Sequence, residues 1–370
     1  MKRVICTVTN DLTYDQRMQR ICSSLARNGF QVLLVGRKLG TSKPLQRQLY
    51  RQKRLYCFFT KGFAFYAEYN LRLLFYLLFC RRAIICAIDL DTILPCLFVA
   101  GMRRLPRVYD AHELFTEQKE IVTRPTVYRV WKAIEKFAVP RFKNGYTVNG
   151  FIAGELNRRY AVNYGMVRNL PLYNALPQVT ISEPPIILYQ GAVNHGRSFE
   201  TLIPAMRYVN ARLDIYGHGN FYTQAQQLIT QHQLQYKVFL KGYVEPALLK
   251  QITAQAAIAV MLFEKTGLNQ YYSLANRFFD YIMAAVPQLC VNYPEYKAIN
   301  DVYGIGYMID DTDTETIAAA LNKMLADTVL YNSLKANCLK AREVLRWEEE
   351  EKKLLAFYNQ LVAEKKEQYV

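Results

Sequence analysis

The chain lacks the residue patterns that build metal sites or disulfide frameworks. Among its 370 residues are eight cysteines without a CxxC pair and four histidines that do not cluster. A structural zinc site needs closely spaced Cys or His ligands, and a small disulfide-bonded domain needs a dense set of cysteines. Neither is indicated, and we interpret the cysteines as buried or free thiols in a reducing compartment.

Long apolar runs are missing as well. The first apolar segment is only as long as one strand, because Asn10 and Asp11 follow it. The apolar core of a secretory signal is a longer continuous run. Charges and a proline cut residues 63–102 into pieces too short to span a bilayer. We therefore expect a cytoplasmic chain. Residues 71–80 (LRLLFYLLFC) are apolar on nearly every side, which favours a deeply packed helix over one on a membrane surface.

Acidic residues are scarce in the first half of the chain. Lys and Arg number 47 against 31 Asp and Glu, a net charge of +16. Residues 1–175 hold 29 basic and 11 acidic side chains, whereas the rest hold 18 and 20. This surplus suggests an anionic partner such as nucleic acid, an anionic membrane or a phosphorylated ligand. No nucleic-acid-binding motif accompanies the charge, so nucleic acid is a rival interpretation and not an expected partner.

Apolar strand-length segments alternate with segments of helical spacing. In the first half the pattern predicts strands at 4–8, 31–35, 83–88 and 107–109, with a basic connector at 37–54. Alternation of this kind predicts a parallel sheet covered by helices on both faces. Ligands of such sheets bind beyond the carboxyl ends of the strands.

A cluster of prolines at 169–185 interrupts this pattern, which then starts again. The prediction is an α/β chain of two doubly wound, Rossmann-like domains that face each other across a cleft. The first domain is expected at 1–172, a linker at 173–185 and the second domain at 186–345. A charged helix at about 346–364 is a candidate to pack back on the first domain.

The strongest local signal for chemistry is the segment GAVNHGR at 191–197. Neither GxGxxG nor GxxxxGK[ST] is complete in the chain, which removes the best evidence for nicotinamide binding or ATP hydrolysis. The segment instead forms a small-residue turn between a predicted strand and a predicted helix. Backbone N–H groups at a helix start attract phosphate, and Arg197 adds a charged fork. A tight turn with a surface arginine is an equally good interpretation of the segment alone.

Several segments together resemble a known enzyme family. They are LYQGAVNHGRSFETLIPAM (188–206), LDIYGHG (213–219), VFLKGYV (238–244), SLANRFFDYIMAAVP (273–287), and in the first half residues 9–36 and 108–117. They resemble the retaining nucleotide-sugar glycosyltransferases of family 4, which have the two-domain GT-B fold. The resemblance implies sugar transfer from a nucleotide diphosphate sugar, as co-substrate, to a hydroxyl acceptor without a cofactor or metal ion.

The resemblance assigns the donor diphosphate to the second half. Arg197 stands six residues after Gly191, where the family has a lysine that binds the diphosphate. Ala192 takes the place of a second arginine, and Arg277 is a candidate substitute for it. Ala275 and Asn276 match a loop whose backbone N–H groups meet the diphosphate.

The nucleotide side of the resemblance contains departures. Asp280 stands where the family has a glutamate that binds the ribose hydroxyls, and Gly217 and Gly219 are assigned to the same nucleotide. Tyr272, eight residues before Asp280, replaces a glutamate that the family has near the donor sugar. Glu264 lies too far before Asp280 to match that glutamate. Ala285 replaces a glycine of the family. These departures leave a catalytically weak partner subunit of the same fold as an alternative function, and a sugar-nucleotide epimerase as a lesser one.

In the first half, the resemblance places His112 near the donor sugar and the reacting centre. The alternative is a histidine with satisfied hydrogen bonds at the end of a buried strand. Glu113 is an acceptor-side candidate or a helix-terminal charge. Asp15 and Arg17 are likewise acceptor-side candidates, or groups that cap a helix.

Asp89-Leu90-Asp91 resembles the DxD metal signature of the other large glycosyltransferase fold. We reject a metal role because that fold is a single domain and because Asp91-Thr92 is also a good helix N-cap. The expected partners are a nucleotide sugar and a saccharide acceptor that is a lipid-linked or surface-polysaccharide precursor. The basic first half is expected to approach an anionic membrane, on its cytoplasmic inner face, where each Lys or Arg contributes ~1 kcal/mol.

Overall fold

The computed structural model describes residues 2–177 and 182–367, so residues 178–181 of the predicted linker lie outside it. The chain forms two compact units. The first comprises Met1–Asn169 with Glu349–Val370, and the second comprises Leu170–Glu348. Leu170, placed by the sequence pattern in the first domain, belongs to the apolar core of the second unit.

The first unit is built on a seven-stranded parallel sheet in the order β3-β2-β1-β4-β5-β6-β7. Its strands are β1 (Arg3–Thr7), β2 (Gln31–Lys38), β3 (Arg51–Tyr56), β4 (Ile84–Ile88), β5 (Arg107–Ala111), β6 (Asn144–Thr147) and β7 (Gly165–Met166). Its helices before the linker are α1 (Gln16–Arg27), α2 (Gly62–Phe79), α3 (Ile93–Met102), α4 (Lys119–Val122), α5 (Pro125–Ala138) and α6 (Gly150–Tyr160). The nearly all-apolar β1 and β4 lie at its centre, as expected for strands covered on both faces.

The predicted basic connector is wrong in part, because residues 51–56 form the edge strand β3. This strand (RQKRLY) pairs with β2 alone, and three of its six residues are exposed. An edge strand does not need apolar side chains on both of its faces. Charged residues on it prevent pairing with other chains. Apolar patterning could therefore not identify it.

Helix α2 is buried on one side only. Its inward row consists of Phe65, Tyr69, Leu73 and Leu77. Its outward residues include the exposed Phe63, Leu71, Phe75 and Phe79. The prediction of a deeply packed helix at 71–80 is therefore wrong for the outer side, where large apolar groups meet solvent.

The second unit has a six-stranded parallel sheet in the order β10-β9-β8-β11-β12-β13. Its strands are β8 (Ile186–Gln190), β9 (Arg212–Tyr216), β10 (Val238–Gly242), β11 (Ile258–Met261), β12 (Gln288–Val291) and β13 (Gly306–Ile309). Its helices are α7 (Phe199–Ala205), α8 (Tyr222–Gln231), α9 (Pro246–Ala254), α10 (Leu268–Tyr271), α11 (Asn276–Met283), α12 (Pro294–Tyr303), α13 (Thr314–Ala326) and α14 (Thr328–Ala341). Both units therefore have the predicted doubly wound α/β architecture.

The last helix, α15 (Trp347–Glu367), begins in the second unit and belongs to the first from Glu349 onward. There Tyr358 is fully buried, with its Oη 3.4 Å from Tyr146 Oη. Ser24 Oγ on α1 donates to Glu351. No helix in the described part of the chain has the length and apolarity to cross a membrane.

Candidate active site

Each sheet has a topological switch point, where the chain reverses its direction of winding. It lies between β1 and β4 in the first unit and between β8 and β11 in the second. The carboxyl ends of strands at such a point form the usual ligand site of a doubly wound sheet. Gly191 directly follows β8, and His112 directly follows β5, the neighbour of β4.

In the second unit, the loops after β8 and β9 approach so closely that only glycine fits. A Cβ on Gly217, which has φ +136°, would lie 1.8 Å from the carbonyl oxygen of Gly191. A Cβ on Gly219 would lie 2.3 Å from the carbonyl oxygen of Val193. The contact between the loops accounts for both glycines, and their binding to a nucleotide stays a prediction.

The structure brings Gly191, Arg197 and Arg277 together around the ring of Phe263. The Cζ atoms of Arg197 and Arg277 lie 4.4 and 4.8 Å from the centroid of this ring. Arg277 also lies 4.6 Å from the Tyr189 ring centroid, and a Cβ on Gly191 would be 3.2 Å from Arg277 Nη1. Stacking on aromatic rings leaves the edge of a guanidinium group available for planar anions.

Arg277 carries buried donors without an acceptor. Its Nε and Nη2 have no hydrogen-bond partner among the described residues. A buried donor without a partner is costly, and a charged one more so. An anion such as a diphosphate would satisfy these groups through charge-assisted hydrogen bonds.

The remaining donor-side residues are partly engaged within the protein. Asp280 lies in α11, with its Oδ2 3.4 Å from Nε2 of Gln190, the last residue of β8. The N–H of Ala275 donates to Tyr296 Oη at 3.0 Å. This bond contradicts the predicted use of the Ala275 N–H for the diphosphate. Asn276 is the first residue of α11, next to Arg277.

Glu264 lies closer to the arginine loop than sequence spacing suggested. Its N–H donates to the carbonyl oxygen of Gly196 at 3.2 Å, and Gln270 Nε2 donates to the same oxygen at 2.9 Å. Tyr272, which was expected at the place of a glutamate, instead packs its ring 5.5 Å from that of Tyr271. The backbone of Glu264 is therefore held beside the arginine loop.

The departure at Ala285 has a structural explanation. Ala285 follows the end of α11 and has φ 57°, a left-handed conformation that glycine adopts more readily. A non-glycine residue in this conformation costs roughly 1–2 kcal/mol. The replacement of glycine by Ala285 therefore affects the end of a helix, and it is no evidence that the protein has lost activity.

In the first unit, His112 lies between two carboxylates. Its Nδ1 is 3.4 Å from Asp89 Oδ2, and its Nε2 is 3.4 Å from Asp110 Oδ2. The backbone N–H of His112 donates to Asp89 Oδ1 at 2.8 Å. The histidine is 24% exposed, so it is held in place but still reaches the surface of the unit.

These carboxylates determine the protonation of the histidine. Burial by itself would lower the pKa of His112, but the charges of Asp89 and Asp110 outweigh it and raise that pKa to about 9. Burial raises the pKa of Asp110 less than Arg17 and His112 lower it, so this pKa lies below its ordinary value. At neutral pH the cluster therefore contains an imidazolium cation and an ionised Asp110.

Arg17 is enclosed in the first unit, which corrects its prediction as an acceptor-side residue, whereas Asp15 has the predicted alternative role of a helix cap. Arg17 is 4% exposed, and its Nη2 is 2.8 Å from Asp110 Oδ1. Its Nη1 donates to the carbonyl oxygen of Val167. Asp15 caps α1 by accepting from the N–H of Met18. An enclosed arginine cannot contact an acceptor from this position, whereas it can hold Asp110 ionised.

Glu113 and Asp91 border the same cluster. Glu113 accepts a hydrogen bond from Gln118 Nε2, and Asp91 accepts one from Thr9 Oγ1. Burial raises the pKa of Asp91 to about 6. Thr92 is the N-cap residue of α3, as predicted, but its side chain makes no capping hydrogen bond there. The described residues hold no group of three or more His, Cys, Asp or Glu side chains arranged for a metal ion.

Sequence reasoning missed the aromatic residues that hold the arginines. Tyr189 lies in β8, and Phe263 follows β11 by two residues. Neither residue was singled out in the sequence. Their position beside the switch point was the available signal, since side chains there are turned toward a ligand site.

The sequence of the second unit matches a protein-family model. Residues 176–341 match the model described as glycosyl transferases group 1. This part, less than half of the chain, is similar to group 1 glycosyltransferase domains. The arginine cluster around Phe263 lies entirely within it. No curated protein is similar enough in sequence to count as a relative.

Solved structures share the fold over nearly the whole chain. Sucrose-phosphate synthase from Thermosynechococcus elongatus is 17% identical, with TM-score 0.75, over 98% of this chain and 100% of that one. Anabaena HepE in complex with UDP-glucose is 11% identical, with TM-score 0.76, over 97% and 99%. WaaG, a glycosyltransferase involved in lipopolysaccharide biosynthesis, is 14% identical, with TM-score 0.68, over 95% and 98%. At these identities the likeness shows the fold, and the predicted GT-B fold class is confirmed.

Proposed function

We propose that the protein is a retaining glycosyltransferase of the family 4 type that moves a sugar from a nucleotide diphosphate sugar to a hydroxyl acceptor. The observation that carries the proposal is the pair of arginines stacked on Phe263 in the second unit, one of them with buried donors that lack an acceptor. A diphosphate supplies the oxygens that these donors require.

The arginines stabilise charge at the point where it develops. As the bond between the sugar and the diphosphate opens, negative charge grows on the leaving phosphate. Arg197 and Arg277 offer fixed hydrogen-bond donors to that charge. In other enzymes a bound metal ion stabilises such charge. The leaving phosphate can itself accept the proton of the acceptor hydroxyl, so this reaction needs neither a metal ion nor a protein base.

The His112 cluster supports the acceptor side of the proposal. The carboxyl group of Asp89, which is 18% exposed beside the imidazolium of His112, can accept a hydrogen bond from a sugar hydroxyl. Beside Arg197, Glu264 is a candidate to accept from hydroxyls of the donor sugar. The related folds in complex with UDP and UDP-glucose make these the first donor compounds to examine.

Thermal denaturation with nucleotides tests the proposal. A nucleoside diphosphate that binds only the folded protein adds ~2.7 kcal/mol at a hundred times its Kd. We expect UDP or another nucleoside diphosphate to raise Tm by several degrees, and the nucleoside alone to raise it less, because it lacks the diphosphate. The same panel with different bases and sugars reports donor preference. Absence of stabilisation by every nucleoside diphosphate would favour the catalytically weak partner subunit.

We further propose that the first unit binds an anionic membrane peripherally, on the cytoplasmic face, where lipid-linked or surface-polysaccharide precursors serve as acceptors. The exposed apolar residues Leu71, Phe75 and Phe79 of α2 are followed directly by Arg81 and Arg82. Apolar groups that enter the interface together with cations near anionic lipid are typical of peripheral attachment.

Charge removal next to α2 should weaken this attachment. At ~1 kcal/mol per cation, the double variant Arg81→Gln/Arg82→Gln should bind vesicles of anionic lipid about 30-fold more weakly at low salt. Sedimentation of the protein with vesicles measures the effect. The matched control, Lys250→Gln/Lys340→Gln, removes two exposed cations from the second unit and should bind like the wild type. Wild-type protein that stays in the supernatant at low salt would rule out the attachment.

A further inference from the structure

The first unit contains an apolar cavity to which the proposed chemistry assigns no ligand. The cavity measures about 530 Å³ and lies between α2 and α5, beside the start of α3. Its apolar lining includes Phe63, Tyr66 and Ala67 from α2, Leu94 from α3, and Val130 and Trp131 from α5. This volume is typical of small-molecule sites, which are mostly apolar with a few polar groups at defined points.

The polar groups of the cavity lie where it adjoins the His112 cluster. Asn70 and Asp91 both contribute to the lining, and Asn70 Nδ2 donates to the carbonyl oxygen of Asp91 at 2.9 Å. Asp91 also accepts from Thr9, and the charges of His112 and Glu113 act on it. A ligand in the cavity would therefore place one end beside the histidine.

The lining of the cavity also includes exposed apolar residues. Phe63 is 82% exposed and Val130 is 47% exposed. Phe63 and Ala67 begin a row of exposed residues spaced four apart on α2, which continues with Leu71, Phe75 and Phe79. This row connects the mouth of the cavity with the surface proposed to meet the membrane.

Charge at the inner end selects the kind of head group. Four carboxyl groups gather there beside the two cations His112 and Arg17; they belong to Asp89, Asp91, Asp110 and Glu113. Burial raises the pKa of Asp89 to about 7 and that of Asp91 to about 6, so above pH 7 most of these groups are ionised and their charge exceeds that of the cations. This excess repels phosphate, whereas carboxylates readily accept hydrogen bonds from hydroxyl groups. The one cation that lines the cavity, Arg124, is exposed at the start of α5.

We propose that this cavity binds the hydrocarbon chain of the acceptor and that the head group at Asp91 is uncharged, rich in hydroxyls and joined directly to that chain. The acceptor is thus a neutral glycolipid or a similar amphiphile. The identification of this amphiphile as the acceptor rests on the proposed function. Binding of its hydrocarbon chain to the cavity can be measured without a nucleotide sugar and without sugar transfer.

Tryptophan fluorescence offers a direct measurement. The chain has two tryptophans: Trp131 lines the cavity, and Trp347 is fully buried in the second unit. A dodecyl glucoside with a brominated chain, used below its critical micelle concentration, should quench Trp131 saturably. Unlabelled dodecyl glucoside should reverse the quenching and free glucose should not. The variant Trp131→Phe should abolish the quenching.

Variants that fill or charge the cavity should weaken binding of the probe. Ala67→Phe and Val130→Glu alter partly exposed lining positions, so folding should be retained. Each should raise the Kd of the probe at least tenfold, the effect of about two fewer buried methylene groups. Ala133→Phe is the matched control because Ala133 is exposed on α5 outside the lining, and its Kd should equal that of the wild type.

The outcomes separate the two proposals. Absence of saturable quenching, or equal weakening in Ala67→Phe and Ala133→Phe, overturns the cavity as a chain site even where nucleotides stabilise the protein. Tighter binding of dodecyl phosphate than of dodecyl glucoside overturns the neutral head group. Quenching that the variants weaken in the expected pattern supports the cavity site. If that result is obtained but no nucleotide stabilises the protein, the glycosyltransferase proposal fails and the cavity site stands.

Discussion

Replacement of Arg197 by alanine is expected to lower kcat/KM for glycosyl transfer by about two to three decades. Loss of one donor to a developing charge typically costs ~3 to 4 kcal/mol in the transition state. The guanidinium group of Arg197 is held over Phe263 beside Arg277, so its position is fixed before the substrate binds. Initial-rate measurements with the donor selected by thermal denaturation give the comparison.

Two further variants show whether the loss belongs to the diphosphate site. Arg197→Lys keeps a positive charge but loses the planar fork, so we expect intermediate activity. Arg207→Ala removes an exposed arginine from the same unit and should leave kcat/KM unchanged. Turnover of Arg197→Ala at the wild-type level would refute the assignment of this residue.

Replacement of Asp110 by asparagine is expected to lower the free energy of unfolding by about 3 kcal/mol. The substitution leaves the Arg17 cation buried without its counter-ion, and breaking a buried ion pair in this way typically costs ~3–5 kcal/mol. Both side chains are almost completely enclosed, so solvent screens the pair little. Urea denaturation at neutral pH, followed by circular dichroism, measures the change.

A double variant and a pH series test the cause of this loss. Arg17→Met/Asp110→Asn removes both charges and should be more stable than Asp110→Asn alone. Because the folded protein lowers the pKa of Asp110, the stability due to its charge is present above the pKa of the unfolded chain, about 3.9. The difference between wild type and Asp110→Asn should therefore shrink as the pH falls below about 4. A difference that stays constant down to pH 3 would contradict the ion pair as its source.

The order of the structural elements could be predicted because it depends on local patterns. Apolar runs such as 84–88 and 186–190 are buried central strands in the structure, close to where the sequence pattern placed them. The pattern failed at β3, whose charged side chains are tolerated at an edge, and at the outer side of α2. Burial on one side or two depends on neighbouring elements, which local spacing does not contain.

The candidate site residues divide in the same way. Arg197 and His112 were found because each follows a strand in a recognisable segment. Arg277 was also named as a candidate, but its contact with Phe263 was not predicted, because the two residues meet only in the folded second unit. Asp89 was not predicted as a partner of His112, because it lies 23 residues before it. The enclosed position of Arg17, which was expected to face an acceptor, follows from Asp110, 93 residues further along the chain.

By itself, the sequence determined the two-unit α/β architecture, the basic character of the first half and the glycine-bearing turn that carries Arg197. These features follow from periodicity, composition and turn residues, which are local properties. Only the tertiary structure decided that two arginines share one aromatic ring, that His112 lies between two carboxylates and that an apolar cavity adjoins this cluster. The physical reason is the parallel sheet, whose crossover connections bring the carboxyl ends of strands that are distant in sequence to one edge.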